Sequence, residues 1–212
     1  MPVIISRQAL RRLPLYLQYL KKLRAIGGTH VTATAIAGEM QLNEIQVRKD
    51  IASVSSRPGK PMVGFEIAGL IDDMSEFLAY GEEKQAVLVG VGALGSALLG
   101  YPGFSEYGMR IVRAFDNDPE KVGHAVHGRR VHHIREMGEV LGGVNAMIGI
   151  IAVPAGAAQD ACDRLAACGI RAIWNFASAH LTETGDVLIQ NEGLASSLAV
   201  IVRRLMEAEG AV

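Results

Sequence analysis

The sequence predicts an α/β domain built around a parallel sheet, with a small helical domain in front of it. From residue 85 onward, short aliphatic segments alternate with helical segments, which is the pattern of a parallel sheet with helices on both faces. Before that point, residues 7–53 carry helical periodicity without strands. Hydrophobic residues make up 50% of the 212 residues and aromatic ones 5%, which suits a sheet of small aliphatic side chains.

The helical domain begins with residues 7–26, where leucines recur every three or four positions. We expect Pro14 to lie in the first turn of this helix, where proline is tolerated. Two shorter helices follow at 35–40 and 44–53, separated by a brief turn. Two short helices joined by a tight turn, behind a longer one, predict a helix-turn-helix.

The remaining elements follow from turn signals and periodicity. Residues 55–67 contain Pro and Gly and predict a hairpin or wing, and residues 68–80 predict a connecting helix. Strands are predicted at 86–89, 111–115, 146–153, 172–175 and 187–190, and helices at 96–99, 155–168 and 194–209. The last helix carries an apolar stripe formed by Leu194, Leu198, Ile201, Val202, Leu205 and Met206. This stripe packs either on the helix's own sheet or on a partner subunit.

The net charge of −1 hides an asymmetry. Residues 1–60 hold ten Lys and Arg against three Asp and Glu, whereas the remainder holds eleven against nineteen. A basic head on an acidic body indicates contact with a polyanion, and a solvated basic face is the alternative.

Several classes of protein and site are not expected. No apolar run is long enough for a transmembrane helix, and Arg7 comes too early for a secretory signal, so we expect a cytoplasmic protein without a membrane partner. Cys162 and Cys168 fit neither a disulfide framework nor a metal clip. The histidines crowded between residues 124 and 133 match no zinc pattern and predict a surface loop, so no metal site is expected.

The glycine-rich segment after the first predicted strand carries the most specific pattern. It consists of Gly90, Val91, Gly92, Ala93, Leu94 and Gly95, and it leaves an aliphatic strand and opens a helix. In this pattern the three glycines allow a tight turn, a close approach of pyrophosphate and close packing of helix on strand. The segment therefore predicts a dinucleotide site, whereas the alternative is a glycine turn without a ligand.

An acidic residue indicates which dinucleotide is bound. Asp116 lies 21 residues beyond Gly95, at the end of the second predicted strand, with Asp118 close by. A carboxylate there accepts hydrogen bonds from the ribose hydroxyls and repels a 2′-phosphate, so NAD(H) is predicted over NADP(H).

Catalysis is not expected. Tyr101 and Tyr107 follow the first strand-helix unit, but neither has a lysine four residues later, and no His–Asp pair is recognisable. The chain also leaves little length for a substrate domain. Sensing of the ligand is therefore favoured over turnover. A small NAD-dependent oxidoreductase with a basic oligomerisation arm is the alternative.

Motifs along nearly the whole chain resemble the redox-sensing transcriptional repressors called Rex. They are Arg12-Leu13-Pro14-Leu15-Tyr16, Val47-Arg48-Lys49-Asp50, the glycine loop, Ala114-Phe115-Asp116-Asn117-Asp118-Pro119, Val153-Pro154-Ala155, Ala158-Gln159 and Asn175-Phe176-Ala177. The resemblance implies a winged-helix DNA-binding domain at 1–80, a Rossmann NAD(H) domain at 81–192 and a domain-swapped C-terminal helix at 193–212. It also implies a homodimer that binds operator DNA when NADH is low and leaves it when NADH rises.

The resemblance also implies roles for individual residues. DNA contacts are expected from Gln46, Arg48 and Lys49 on the recognition helix and from Arg57 and Lys60 in the wing, and added cofactor contacts from Val153, Pro154, Asn175 and Tyr101, the last near the nicotinamide. Arg12 would lie where the two domains communicate. The family's carboxylate partner for it falls at Gly193 here, with Glu192 beside it, so the ionic switch is either moved to Glu192 or absent.

This sequence departs from the family in two further places. Met62 and Phe65 replace a glycine and a tyrosine of the wing, and Ala93 replaces an asparagine of the loop. A relative that binds DNA constitutively, or one that senses another nucleotide-containing ligand such as coenzyme A, therefore stays open as an alternative.

Overall fold

The computed structural model describes residues 5–182 and 185–209, apart from the side chains of residues 194–196. The chain divides into two compact units, Met1–Glu82 and Glu83–Val212. Each unit has its own hydrophobic core. The predicted helical domain and the predicted parallel α/β domain are both confirmed.

The first unit is a winged helix-turn-helix. Its elements are α1 (Arg7–Ala25), β1 (His30–Val31), α2 (Ala33–Met40), α3 (Glu44–Ala52), β2 (Phe65–Glu66) and α4 (Ile67–Phe77). Strands β1 and β2 pair antiparallel and form the base of the wing. The wing itself ends in a tight turn, closed by backbone hydrogen bonds between Lys60 and Gly64.

Helix α1 begins at Arg7, seven residues before Pro14. The Ser6 hydroxyl caps it by accepting a hydrogen bond from the Ala9 amide at 3.2 Å, so Pro14 lies inside the helix and not in its first turn as predicted. Proline costs an interior helix one hydrogen bond. Burial of Leu13, Tyr16 and their neighbours on the inner face offsets this cost, and that burial depends on tertiary packing.

The turn of the helix-turn-helix forms without glycine. Gln41 ends α2 in the left-handed conformation, with φ 53°. Asn43 then caps α3 because its side-chain oxygen accepts a hydrogen bond from the Ile45 amide at 2.8 Å. The position and length of both helices therefore agree with the predicted helix-turn-helix.

A buried carboxylate joins α1 to α3. Asp50, which is 6% exposed, receives two hydrogen bonds from the Arg12 guanidinium, at 2.8 and 3.0 Å. The Tyr16 hydroxyl donates a third, at 2.9 Å. Burial, reinforced by the neighbouring Asp50, raises the pKa of Tyr16 to about 12, so this hydroxyl stays protonated at neutral pH. These hydrogen bonds hold α3 in place against α1.

The second unit is a seven-stranded sheet with the order β5-β6-β4-β3-β7-β8-β9. The strands are β3 (Lys84–Val89), β4 (Met109–Asp116), β5 (Ala125–Val126), β6 (Arg129–His133), β7 (Ala146–Ile151), β8 (Ala172–Asn175) and β9 (Leu188–Asn191). All neighbours pair in parallel except β5 with β6. The helices are α5 (Ala93–Leu99), α6 (Met137–Leu141), α7 (Ala155–Ala167) and α8 (Leu194–Ala208), with 3-10 turns at Pro102–Tyr107 and Ile134–Glu136.

The prediction of a surface loop at 124–133 is wrong. This stretch forms the hairpin of β5 and β6, and it adds β6 to the sheet beside β4. His132 and His133 therefore lie on a strand. Only Val131 of β6 is buried, and two arginines and two histidines flank it, so the segment shows too little hydrophobic alternation to be recognised as a strand.

Helix α8 does not pack on its own sheet. All described side chains from 197 to 209 are exposed, and Ile201 has 62% of its surface in contact with solvent. The stripe residue Leu194 has its side chain outside the described part. Of the two alternatives raised by the sequence, packing on the helix's own sheet is therefore wrong. None of the helices in the described residues has the length and apolar character needed to cross a membrane.

We predict that Asp50→Asn destabilises the first unit strongly. The substitution leaves the Arg12 guanidinium without its counter-ion, and loss of one partner of a buried ion pair costs about 3 kcal/mol. Urea unfolding followed by circular dichroism measures the free energy of unfolding. The matched control, Tyr16→Phe, removes one hydrogen bond from the same carboxylate and costs about 1 kcal/mol. Equal losses for both variants would contradict the ion pair as the main contribution.

Candidate functional site

The turn between β3 and α5 has three glycines with three different environments. Gly90 adopts φ +94°, which favours glycine. Gly95 is buried, and a Cβ there would overlap the carbonyl oxygen of Gly90. At Gly92, by contrast, a Cβ would meet nothing within 4 Å. Two glycines are thus required by the fold, whereas the third leaves open space in front of the backbone.

Asp116 ties this turn to the end of β4. Its Oδ2 accepts a hydrogen bond from the Val91 amide at 2.7 Å, and its Oδ1 accepts from the amides of Asn117 and Asp118 at 2.8 and 3.0 Å. The side chain is buried. Asp116 is therefore first a structural residue of the loop. A carboxylate has about four lone-pair sites, so it can still accept from a ligand hydroxyl.

A lysine that sequence reasoning missed lies beside these two acids. The ammonium of Lys121 is 3.0 Å from Asp118 Oδ2 and 3.6 Å from Asp116 Oδ2. Hydrogen bonding with Lys121 lowers the pKa of Asp118, and the same contact raises the pKa of Lys121. The spacing of three residues from Asp118 to Lys121 was the available signal, since it is typical of an ion pair on one turn of backbone.

A cavity of about 390 Å³ opens at the carboxyl ends of β3, β4 and β7. It brings together six of the predicted cofactor residues, which are Gly90, Gly92, Asp116, Asp118, Val153 and Pro154. It also includes Lys121, Ile134, Ala157 and Asp160, which the sequence did not indicate. In a parallel α/β sheet, ligands bind at this edge, where the strand order reverses.

The other predicted cofactor residues lie elsewhere. Val91, Ala93, Leu94 and Gly95 are in the turn and first residues of α5 but do not line the cavity. Asn175 is fully buried at the end of β8, and its amide nitrogen donates to the Ala179 carbonyl and to Asn191 at 2.9 and 2.8 Å. Asn175 thus organises the loop after β8 from within.

Tyr101 belongs to an aromatic cluster. Its ring is 54% exposed and meets Phe104 edge-on, with ring centroids 5.0 Å apart. Phe104 contacts Trp174 at 5.9 Å, and Trp174 contacts Phe176 at 4.7 Å. Trp174 is the second-last residue of β8, and Phe176 comes directly after the strand. The cluster therefore lies at the carboxyl end of the sheet.

The two predicted switch residues each have a partner within their own unit. Arg12 is held by Asp50, as described above. The Glu192 carboxylate accepts a hydrogen bond from the Trp174 indole at 3.0 Å.

The predicted DNA-binding residues lie on α3 and in the wing, and all five are exposed. Arg48 forms an ion pair with Glu44 one turn earlier, at 2.5 Å, and Glu44 also accepts from the Thr34 hydroxyl at 2.9 Å. Gln46, with its amide oxygen turned toward Arg12, accepts from Nη2 at 2.8 Å. Lys49 lies further along α3 with a solvent-exposed side chain.

In the wing, Arg57 pairs with Glu66 at 3.3 Å and Lys60 lies at the start of the terminal turn. Met62 is fully exposed at the tip and adopts φ 61°. The structure therefore places Arg57 and Lys60 on the same short segment, as a wing contact requires. Across the ranges 5–182 and 185–209, no cluster of three His, Cys, Asp or Glu residues is arranged to hold a metal ion.

Comparisons with known proteins agree with this two-part organisation. A family described as "Putative DNA-binding protein N-terminus" matches residues 4–52, and one described as "CoA binding domain" matches residues 81–179. The chain is 38% identical to a redox-sensing transcriptional repressor Rex from Treponema denticola, over 91% of each chain. It is 36% identical to the Rex protein of Bacteroides fragilis, over 95% of this chain and 91% of that one. The chain belongs to the Rex family.

Solved structures of a Rex-family repressor called RSP share the fold over nearly the full length. RSP in complex with NAD⁺ and operator DNA superimposes with a TM-score of 0.90 at 28% identity, over 97% of this chain and 94% of that one. RSP in complex with NADH gives a TM-score of 0.86, over 97% and 96%. Because Rex proteins are transcriptional repressors by name, membership in this family sets the oxidoreductase alternative aside, and the chain is not an enzyme.

We predict that alanine at two glycines of the turn affects two different properties, namely NADH affinity and stability. Gly92→Ala places a methyl group in open space, so the protein folds as before, but the group obstructs a pyrophosphate and lowers NADH affinity at least about tenfold. Gly95→Ala forces the Gly90 carbonyl to move and costs about 2 kcal/mol of stability. Calorimetric titration and urea unfolding separate the two effects. Unchanged NADH affinity in Gly92→Ala would remove the turn from the cofactor site.

Proposed function

We propose that this Rex-family chain is an NAD(H)-responsive transcriptional repressor that binds operator DNA as a homodimer and leaves it when NADH rises. One observation carries the proposal: a single chain combines a helix-turn-helix whose second helix exposes Gln46, Arg48 and Lys49 with a glycine turn that faces an open cavity. The proposal is supported by RSP, whose structures contain NAD⁺ with operator DNA and, separately, NADH. Because operator DNA is its partner, we propose a cytoplasmic location.

We propose that NAD(H) lies across the carboxyl ends of β3, β4 and β7. The adenosine ribose would meet Asp116 and Asp118, and the pyrophosphate would approach the Gly90–Gly95 turn. The nicotinamide half would extend past Val153 and Pro154 toward β8, where Asn175 shapes the loop and Tyr101 lies in the aromatic cluster. In a Rossmann fold the two halves of the dinucleotide lie on opposite sides of the first strand, which is β3 here. This rule supports an adenosine half near β4 and a nicotinamide half directed toward β8.

The preference for NAD(H) over NADP(H) remains part of the proposal. Asp116 and Asp118 place two carboxylates where a 2′-phosphate would have to lie, whereas Lys121 supplies one positive charge. Lys121 already pairs with both acids, so the group as a whole carries net negative charge and disfavours the added phosphate.

We propose that DNA is read by α3 and held by the wing. Arg48 is suited to bidentate contact with guanine once it leaves Glu44, whereas Lys49 is suited to phosphate. The side-chain amide of Gln46 can form hydrogen bonds with adenine. Arg57 and Lys60 would contact the phosphate backbone of the DNA from the wing. A dimer would present two such units to a palindromic site.

The C-terminal helix is the proposed dimer contact. Its described apolar side chains are exposed in the single chain, and burial of Leu198, Ile201, Leu205 and their neighbours by a second copy would remove a large apolar surface from water. Exchange of this helix between subunits is the arrangement that the family implies.

The central test of the function is DNA binding with each nucleotide. Fluorescence anisotropy is measured on a duplex selected by the purified protein from random-sequence DNA. We expect NADH to weaken binding relative to NAD⁺, because release by NADH defines the sensor. Equal affinity with both would contradict redox sensing. Coenzyme A serves as a third ligand, and a response to it alone would favour the nucleotide alternative, to which the match with a CoA-binding family also points.

We predict that Arg48→Ala weakens binding to the selected duplex about tenfold or more, because one bidentate base contact is worth roughly 1–3 kcal/mol. NADH affinity, measured by calorimetry, should stay unchanged. Lys22→Ala removes the same charge from α1, away from the helix-turn-helix, and controls for nonspecific electrostatics. Loss of DNA and NADH binding together in Arg48→Ala would argue against separate sites.

We predict that Ile201→Glu converts the dimer to a monomer. The side chain is exposed in the single chain, so the chain still folds, but a charge in an apolar interface is costly. Light scattering coupled to size exclusion measures the mass. Arg204→Ala, a change on the same helix outside the apolar stripe, should leave the dimer intact. A dimer that survives Ile201→Glu would refute α8 as the contact.

A further inference from the structure

A carboxylate on α4 holds the segment that connects the recognition helix to the wing. The Asp73 side chain accepts hydrogen bonds from the amide and the hydroxyl of Ser56, both at 2.8 Å. The Ser55 hydroxyl lies 3.1 Å from the same carboxylate. Residues 55 and 56 belong to neither helix nor strand, so these contacts replace the hydrogen bonds that regular structure would supply.

The same contacts extend to the first proposed phosphate-binding residue of the wing. The Ser55 hydroxyl accepts a hydrogen bond from the Arg57 amide at 3.2 Å and lies 2.8 Å from the Arg57 carbonyl oxygen. The backbone of Arg57 is therefore tied, through Ser55, to the residues that Asp73 binds.

The side chain of Arg57 also contacts α4. Its guanidinium lies against Gly69, where a Cβ would be 2.6 Å from Nη1, and it pairs with Glu66. Gly69 and Asp73 are four residues apart and lie on one face of α4, and Glu66 is the residue directly before the helix. That face receives residues 55–57 as a unit.

Asp73 is ionised at neutral pH. Burial raises the pKa of this carboxyl, but the hydrogen bonds from Ser56 and Ser55 and the charge of Arg57 outweigh burial and lower its pKa below the usual range. An ionised carboxylate accepts without donating, which matches the donors of Ser55 and Ser56. By charge alone, an anion in a DNA-binding unit weakens binding, so a favourable role for it has to be geometric.

We propose that Asp73 is a positioning residue for DNA binding, because its carboxylate fixes residues 55–57 and thereby holds Arg57 and Lys60 of the wing where they can reach the phosphate backbone. This inference rests on the proposed function. Without the carboxylate, the segment samples other conformations and the wing contacts carry an added ordering cost on binding.

The chain offers a matched control at the neighbouring position. Asp72 is exposed on α4, and Asp72→Ala removes the same charge without touching residues 55–57. If charge alone mattered, both variants would bind DNA slightly more tightly than the parent. We expect Asp72→Ala to follow this electrostatic direction, whereas Asp73→Ala weakens binding about tenfold, so the two effects have opposite signs.

Salt dependence supplies a readout that general destabilisation would not move. Each lost phosphate contact lowers the slope of log affinity against log salt by about 0.9. We expect the slope for Asp73→Ala to be smaller by about 2, since both wing contacts are weakened. In the background Arg57→Ala/Lys60→Ala, adding Asp73→Ala should no longer weaken binding and should leave the slope unchanged, because the contacts that it positions are already gone and only the slight electrostatic gain seen in Asp72→Ala remains.

The experiment uses the full chain with the selected duplex and with a nonspecific duplex of equal length. Calorimetry with NADH and thermal unfolding check that Asp73→Ala is folded. If it is not, Ser56→Ala decides, since it removes one donor to Asp73 and should weaken binding about threefold. Asp73→Ala binding like Asp72→Ala, or in its place Ser56→Ala binding like the parent, with the parental slope in either case, would overturn the inference alone. A parent that binds neither duplex would instead overturn the proposed function.

Discussion

The hydrogen-bonded ion pair between Arg12 and Asp50 decides how the recognition helix is presented. It joins α1 to α3 inside an otherwise apolar core, and the Tyr16 hydroxyl completes it. Breaking it would leave a charge without a partner, so the angle between the two helices is strongly constrained. Asp50 faces inward, whereas Gln46, Arg48 and Lys49 on the same helix are exposed, and these are the side chains that we propose for DNA contacts.

The second unit also contains a buried carboxylate, but this one binds backbone amides, whereas Asp50 binds the side chains of Arg12 and Tyr16. Asp116 receives three backbone amides and so closes the glycine turn onto the end of β4. Asp116 therefore builds the turn, and it is also the residue that we propose for the ribose contact. Asp73 repeats the device between α4 and the wing. In each case an acceptor-only side chain organises backbone that lacks regular hydrogen bonds.

Family membership and contact geometry answer different questions. Similarity to Rex proteins shows which family the chain belongs to. The structure shows which hydrogen bonds hold the elements of this chain together. Arg12 and Glu192 have hydrogen-bonding partners inside their own units, namely Asp50 and Trp174.

Local patterns were sufficient to predict the helix-turn-helix, the aliphatic strands and the glycine turn, because each depends on periodicity or on backbone conformation that neighbouring residues specify. Strand β6 and the helical placement of Pro14 were not predictable, since one has a single buried side chain and the other depends on packing along a long helix. The contact between Lys121 and Asp116 and the one between Asp73 and Ser56 are visible only in the three-dimensional structure. The sequence alone determined most of the elements, though not the hairpin of β5 and β6, and the class of ligand. Only the tertiary structure decided which charges meet, because such meetings depend on distances across the fold and not along the chain.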